Sequence, residues 1–269
     1  MKKISVLLLC LSGIIQACHS QDISPEGKTL AERFLLPKGY FRKSLDRQSF
    51  AFYLRNFPLK SHGSKVYYFD KKEKYNPVYS AVLAIDCGTR DLQQCADAVM
   101  RLRSEYLYKQ QKIKDIHFKN FAGTDMDYVR YKQGYRMTTT AYKKTNAPDT
   151  SRQGFRKYLD MVFAFANTYT LEREMLPQSI QDLQAGDVFI VSKANAYGHA
   201  VIIMDVAFHE KTKEKIFLLA QSYMPAQDIH ILKNTNEAEH PNWYSAQHLQ
   251  ENLVTPEWTF PVSALKKFK

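Results

Sequence analysis

Three apolar runs in the last third of the chain constrain its fold more than any other feature of the sequence. They cover residues 187–192, 198–207 and 216–221, and the charged turn 210–214 separates the last two. Short runs that are rich in Val, Ile and Phe and bounded by turn residues are typical of strands buried in a sheet. Because the connections between the runs are short, the pattern predicts an antiparallel meander.

Helical patterns precede this meander. Asp91 and Gln94 fit a capping box in front of apolar residues spaced by three and four, which predicts a helix that begins there. A nearly continuous apolar run over residues 78–87 predicts a central buried strand. Helices that come first and an antiparallel sheet that follows favour an α+β fold over an alternating α/β fold. The three predicted helices cover residues 46–57, 91–112 and 151–175.

The first residues of the chain resemble the signal of a bacterial lipoprotein. Lys2 and Lys3 precede a short apolar run, and Cys18 directly follows the small residue Ala17. This order is typical of a secretory signal peptide, and the lipobox-like end implies cleavage after Ala17 and lipidation of Cys18. A plain secretory signal is the alternative. The predicted organisation is a signal peptide at residues 1–17, a lipidated tether at 18–29 and a single α+β domain at 30–269.

The charge of the chain indicates an anionic partner, and the predicted location in the cell envelope limits which anionic partners it can meet. The 269 residues include 38 basic and 27 acidic side chains, a formal net charge of +11. Loss of Lys2 and Lys3 with the leader would leave 36 basic against 27 acidic residues, a net charge of +9. For a basic protein in the cell envelope, we expect membrane attachment through lipid on Cys18, peptidoglycan as a candidate partner and no nucleic acid.

Cys95 is the first candidate for chemistry. In the first turn of a helix, backbone N–H groups and the helix dipole favour a thiolate and can hold an oxyanion. Two plainer interpretations stay open. Cys95 lies on the apolar stripe of its helix, so it could be a core residue. In an oxidising envelope, it could also form a disulfide with Cys87.

His199 and Gln221 are the other two candidates. His199 opens the second strand of the predicted meander after a loop of small residues, where a general base can meet a substrate. In a hairpin, the start of one strand faces the end of the next, so Gln221, or Ser222, is expected near His199. An amide oxygen at that position could orient the imidazole. A satisfied loop histidine and a strand-end glutamine are the plainer alternatives.

The predicted meander resembles the second half of NlpC-type and CHAP-type cysteine peptidases and amidases. The resemblance is carried by the Gly-Asp pair that opens the first strand, by Gly198-His199 on the second and by the polar residue that ends the third. The resemblance implies a papain-like α+β core, with insertions, in which the helix carrying Cys95 packs on the antiparallel sheet carrying His199. Cys95 would then be the nucleophile, His199 the general base and later acid, and Gln221 the orienting group. The rival nucleophile is Cys87, which ends a predicted strand and does not begin a helix.

The same resemblance implies a site for the oxyanion. The backbone N–H of Cys95 would bind it, together with the side chain of Gln94 or Gln93.

A second resemblance covers residues 30–269 and is carried by distinctive segments. They are similar to an uncharacterised family of bacterial envelope lipoproteins that is described only as a domain of unknown function. This resemblance implies an envelope lipoprotein and brings no activity of its own. The segments are RDLQQCAD at 90–97, RLRSEY at 101–106, GDVFI at 186–190, AQSYMPAQ at 220–227 and TPEWTF at 255–260.

Two functions from different classes follow from the sequence. The first is a lipid-anchored cysteine hydrolase that cuts amide bonds in peptidoglycan through Cys95, His199 and Gln221, without a cofactor. The second is a non-catalytic envelope lipoprotein that acts as a binding or assembly module. We expect no metal, because His230, His240 and His248 are spaced more widely than zinc ligands usually are.

Overall fold

A computed structural model describes residues 22–138, 141–193 and 196–269 of the chain. The predicted signal peptide, Cys18 and the tether residues 18–21 lie outside the described residues. Residues 22–29, the rest of the predicted tether, pack on the domain: the Ser24 N–H donates to the Arg33 carbonyl at 2.8 Å, and Ile23 bridges to Phe34. The described part contains no helix that is long and apolar enough to cross a membrane.

Helices and antiparallel strands are combined in the described residues, which confirms the predicted α+β class. The helices are α1 (Leu30–Arg33), α2 (Phe50–Arg55), α3 (Cys95–Lys109), α4 (Tyr128–Lys132), α5 (Arg152–Phe165) and α6 (Thr168–Glu174). The strands are β1 (Tyr40–Phe41), β2 (Tyr79–Val82), β3 (His117–Lys119), β4 (Asp125–Asp127), β5 (Tyr135–Met137), β6 (Tyr142–Lys144), β7 (Leu176–Pro177), β8 (Val188–Lys193), β9 (Ala196–His209), β10 (Lys215–Gln221), β11 (His230–Leu232), β12 (Tyr244–Ser245), β13 (Asn252–Val254), β14 (Thr259–Pro261) and β15 (Leu265–Lys267).

The central sheet is built on the predicted meander. Its strand order is β2-β11-β10-β9-β8-β15-β7, and each neighbouring pair is antiparallel. The register pairs Val191 with His199 and Ala220 with Ile202. One hydrophobic cluster joins this sheet to the helices, and a second joins it to the C-terminal strands. The sheet is therefore covered on both faces, which explains why β8, β9 and β10 are apolar along most of their length.

The apolar run at residues 78–87 does not form the predicted central strand. Only Tyr79–Val82 are in strand β2, which lies at the end of the sheet order. The segment beside it covers this edge, because the Lys60 N–H donates to the Val82 carbonyl at 2.8 Å and Leu59 bridges to Leu83. An end strand covered in this way is as apolar as a central strand, because both are shielded from water.

The single helix predicted over residues 151–175 is two helices. α5 ends at Phe165, and α6 begins at Thr168 after the N-cap residue Asn167. The Asn167 side chain accepts the Thr170 N–H, while the Thr170 hydroxyl accepts the Asn167 N–H. This reciprocal cap starts a new helix within a stretch whose apolar pattern is continuous. The break directs Thr168 toward the start of α3.

Candidate active site

Cys95 is the first residue of α3. The predicted cap is wrong: Gln94, not Asp91, is the N-cap, and the Asp97 carboxylate accepts the Gln94 N–H at 3.0 Å. Asp91 instead accepts hydrogen bonds from the Gln94 side chain and from the Ala226 N–H. The helix therefore begins later than predicted, and Cys95 still lies in its first turn, where backbone N–H groups have no partner within the helix.

The Cys95 thiol is covered by protein. Its Sγ lies 3.8 Å from Oγ1 of Thr168, and the backbone N–H groups of Ala96 and Ala200 are directed at it. Only 5% of the residue is exposed. Burial, followed by the nearby Asp97, raises the pKa of the thiol to about 11. The thiolate expected from the helix terminus is therefore not formed at neutral pH, because burial outweighs the helix dipole.

A glycine allows the close contact between α6 and the strand that carries His199. A Cβ at Gly198 would overlap the Val191 carbonyl oxygen and would lie 2.9 Å from Cγ2 of Thr168. No other residue leaves this space free. Gly198 therefore lets Thr168, the neighbour of the Cys95 thiol, pack directly against β9.

His199 and Gln221 meet as the hairpin predicts. Nε2 of His199 lies 2.8 Å from Oε1 of Gln221, and each residue is 1% exposed. Burial lowers the pKa of the His199 imidazole to about 4, although the hydrogen bond to Gln221 acts in the opposite direction. The imidazole is therefore neutral at physiological pH and available as a base.

The Cys95 thiol contacts β9 at Ala200, the residue after His199, and no hydrogen bond joins it to the imidazole in the described residues. The link is the backbone, because the N–H directed at Sγ belongs to Ala200. Tyr223 lies near both groups. Its ring centroid is 4.7 Å from that of His199. Burial is the main cause that raises the pKa of the Tyr223 hydroxyl, and Glu257 and then Cys95 raise it further. Trp258 covers His199 from another side, at 5.3 Å between ring centroids.

Three further polar residues join the site, and the sequence patterns did not predict them there. Nε2 of Gln221 donates to Oε2 of Glu257 at 2.6 Å, and Nζ of Lys74 lies 2.7 Å from the other Glu257 oxygen. His230, which in the sequence enters only the argument against a zinc site, lies on β11 with its Nε2 3.4 Å from Nε2 of Gln221. These residues come from separate loops and strands, so no spacing in the sequence marks them as a group.

The two candidate oxyanion donors, the side chains of Gln94 and Gln93, differ in whether their NH₂ groups already have a hydrogen-bond acceptor. Nε2 of Gln94 donates to Asp91 at 3.0 Å, so this side chain is already engaged. Oε1 of Gln93 accepts from Arg101 at 3.1 Å, and its buried Nε2 has no acceptor among the described residues. Since Arg101 can only donate, the Gln93 amide orientation is fixed. Gln93 is therefore the better candidate of the two.

The remaining candidates lie outside this site. Cys87 and Cys95 are both free thiols, so they are not bridged, and burial raises the pKa of Cys87 to about 12. His240 and His248 line a separate cavity of about 420 Å³. The part of the chain that the structure describes holds no group of three or more metal-ligating side chains.

Comparison with known proteins identifies a family for nearly the whole chain. A family model described as domain of unknown function (4846) matches residues 30–267. Comparison with curated proteins gave no match, and comparison with solved structures gave none either. The match covers all helices and strands from α1 to β15, so the chain belongs to the family of domain of unknown function (4846).

Proposed function

We propose that this protein is a lipid-anchored cysteine hydrolase of the cell envelope, with a papain-like core that cuts amide bonds in peptidoglycan. The observation that carries the proposal is the buried 2.8 Å hydrogen bond between His199 and Gln221, beside a thiol held at the next residue of the same strand. A cysteine at a helix N-terminus, a histidine on a strand and an orienting amide are the parts that this chemistry needs.

The residues have distinct roles in the proposed reaction. His199 removes the proton from the Cys95 thiol as sulfur attacks the amide carbonyl carbon, and the carbonyl electron pair moves onto oxygen. The tetrahedral intermediate then expels the amine, which takes the proton from the His199 imidazolium, and a thioester on Cys95 remains. A water molecule, deprotonated by His199, attacks the thioester carbon. The second tetrahedral intermediate then breaks its bond to the Cys95 sulfur, which takes the proton back from the imidazolium, and the acid is released. Gln221 keeps the imidazole oriented throughout.

The oxyanion would be held at the start of α3. The N–H of Cys95 belongs to the first turn of the helix, where the backbone donors and the helix dipole favour negative charge. The Gln93 side chain supplies the second donor, because its Nε2 is buried without an acceptor among the described residues. Such a donor costs free energy in the resting protein and gains a partner when the oxyanion forms.

The resting site is closed, so substrate binding must move its cover. Cys95 and His199 are 5% and 1% exposed, and both are in their neutral forms at pH 7. Tyr223 and Trp258, which cover His199, are themselves only partly buried. Their displacement would hydrate the thiol, remove part of the burial that raises its pKa and admit the scissile bond.

The predicted location in the cell envelope supports peptidoglycan as the substrate. It rests on the lipobox-like leader that directly precedes Cys18 and on the net charge of +9 after removal of Lys2 and Lys3. A basic surface concentrates anionic polymers near the protein.

The experiment incubates the full mature chain with purified sacculi and identifies the released fragments by mass spectrometry. The variants are Cys95→Ala and, as a matched control, Cys87→Ala, which removes the other buried free thiol. Release of muropeptides by the wild type and by the Cys87 variant, with loss in the Cys95 variant, supports the proposal. Equal release by all three proteins rejects Cys95 as the nucleophile.

A second candidate function is a non-catalytic binding or assembly module of the envelope. The observation that favours it is the covered, neutral thiol, which has no hydrogen bond to His199 in the described residues. A cavity of about 880 Å³ also lies elsewhere, between the β3–β4 hairpin and α6. Absence of any release from sacculi by the wild type would favour this function.

A further inference from the structure

We infer that Glu257, held by Lys74, is a positioning residue that fixes the tautomer of His199 by fixing the side-chain amide of Gln221. The result is an imidazole with its proton on Nε2 and a free electron pair on Nδ1. This inference deepens the proposed function and rests on it for its catalytic meaning. The tautomer itself is a property of the folded protein and can be measured whether or not Cys95 is a nucleophile.

The first step is the orientation of the Gln221 amide. The Gln221 amide atom that does not face His199 lies 2.6 Å from Oε2 of Glu257. A carboxylate that is paired with a lysine only accepts hydrogen bonds, so the Gln221 atom facing it must be the NH₂ group. Lys74 keeps the carboxylate in place, with 2.7 Å between Nζ and Oε1, and the two side chains are 4% and 13% exposed.

His230 favours the same orientation through a second, longer contact that is weaker than the one to Glu257. Its Nδ1 lies 2.9 Å from the Asp228 carbonyl oxygen, which accepts only, so Nδ1 carries the proton. Burial lowers the pKa of His230 to about 3, so the ring is neutral and its Nε2 is an acceptor. That nitrogen lies 3.4 Å from Nε2 of Gln221. Both hydrogens of the Gln221 amide therefore have acceptors, one on Glu257 and one on His230.

The second step is the His199 ring. With its NH₂ group committed, Gln221 can present only Oε1 to His199, and this oxygen accepts. Nε2 of His199 must then be the donor in the 2.8 Å contact. Since the ring is neutral, the proton is absent from Nδ1, and that nitrogen is the base that the proposed reaction uses. A glutamine alone could present either end of its amide; Glu257 removes that freedom.

The experiment measures the imidazole ¹⁵N chemical shifts of the full mature chain labelled with ¹⁵N-histidine, from pH 5 to pH 8. His199→Gln assigns the His199 signals by their disappearance. The variant is Glu257→Gln, which can turn an NH₂ group toward Gln221, and the matched control is Glu251→Gln, an exposed glutamate in the same C-terminal region. We expect a protonated Nε2 and an unprotonated Nδ1 in the wild type and the control, and a mixture of tautomers in the Glu257 variant.

A wild-type His199 protonated on Nδ1 overturns the inference, and this outcome does not depend on the variant's stability. Unchanged shifts in a folded Glu257→Gln protein also overturn it. If hydrolysis of sacculi is found, the Glu257 variant should lose up to about 10²-fold in kcat with little change in KM, because only the base is affected. The predicted tautomer in a protein without hydrolytic activity would sustain the inference and reject the proposed function.

Discussion

The imidazole of His199 and the side-chain amide of Gln221 form a buried 2.8 Å hydrogen bond between β9 and β10. Neither residue is more than 1% exposed, so water cannot replace either partner. β9 begins at Ala196, earlier than predicted, so the bond joins a residue in the first part of β9 to the last residue of β10. It is therefore both a constraint on the fold and the centre of the proposed site.

Replacement of Gln221 by Leu should destabilise the protein. The change leaves Nε2 of His199 without its acceptor at a buried position, and unsatisfied buried polar groups cost about 1–3 kcal/mol each. Urea denaturation measures the loss. Gln250→Leu, at an exposed position, should change the unfolding free energy by less than about 0.5 kcal/mol. Equal stability of the two variants would show that the bond does not contribute.

Both buried thiols should react slowly with iodoacetamide in the folded protein. Burial raises the pKa of Cys95 to about 11 and that of Cys87 to about 12, so little thiolate is present at pH 7.5. Relative to the unfolded chain, whose thiols have a pKa of about 8.5, alkylation should be slower by at least about 10²-fold. Mass spectrometry of Cys87→Ala and Cys95→Ala assigns each rate. Fast alkylation of Cys95 at neutral pH would mean that its thiol is activated despite its burial.

Acid should destabilise the protein through His230. Burial lowers the pKa of His230 to about 3, against about 6.5 in the unfolded chain, so the unfolded state binds the proton first as the pH falls. The stability that this neutral histidine contributes is complete above pH 6.5 and is lost as the pH falls toward 3. His230→Gln should therefore flatten the curve of unfolding free energy between pH 7 and pH 4.

The control for that experiment is the difference between variant and wild type at each pH. Asp187 titrates in the opposite sense, because burial raises its pKa to about 6 and its protonation stabilises the folded state as the pH falls. The wild-type curve alone mixes these two effects with that of His199, whose pKa burial also lowers, to about 4. An identical pH dependence in the variant and the wild type would contradict the role given to His230.

Loss of Arg101 should be costly. Its guanidinium is 2% exposed, donates to Glu105 at 2.8 Å and also holds Gln93. Removal of one partner from a buried ion pair costs about 3–5 kcal/mol, and Arg152, which also bonds Glu105, should keep the loss near the lower end. Urea denaturation of Arg101→Met measures it, with the exposed Arg47→Met as the control. A change below about 1 kcal/mol in both variants would rule out a stabilising pair.

Periodicity and turn chemistry are sufficient to predict the meander and the meeting of its strand ends. The runs that form β8, β9 and β10 alternate with short turns, so their pairing is local and follows from the pattern. For that reason, the amino-acid pattern alone is enough to bring Gln221 or Ser222 near His199, and the folded structure shows that the partner is Gln221. The single helix predicted over residues 151–175 is wrong because the cap at Asn167 interrupts the helix without interrupting its apolar pattern.

Packing between segments that are distant in the sequence determines the features of the site that periodicity does not predict. Lys74 and Glu257 are 183 residues apart, and only the folded loops bring them to Gln221. A helix terminus is visible in the sequence, whereas the depth of burial that raises the pKa of the Cys95 thiol is not.

The amino-acid sequence by itself determined the α+β class, the central hairpin and the placement of His199 near Gln221 or Ser222, because each of these depends on neighbours along one or two adjacent strands. The tertiary structure decided the edge position of β2, the neutral state of the Cys95 thiol and the polar chain through Glu257. Solvent exclusion and contacts between distant segments exist only once the chain has folded, and no local pattern encodes them.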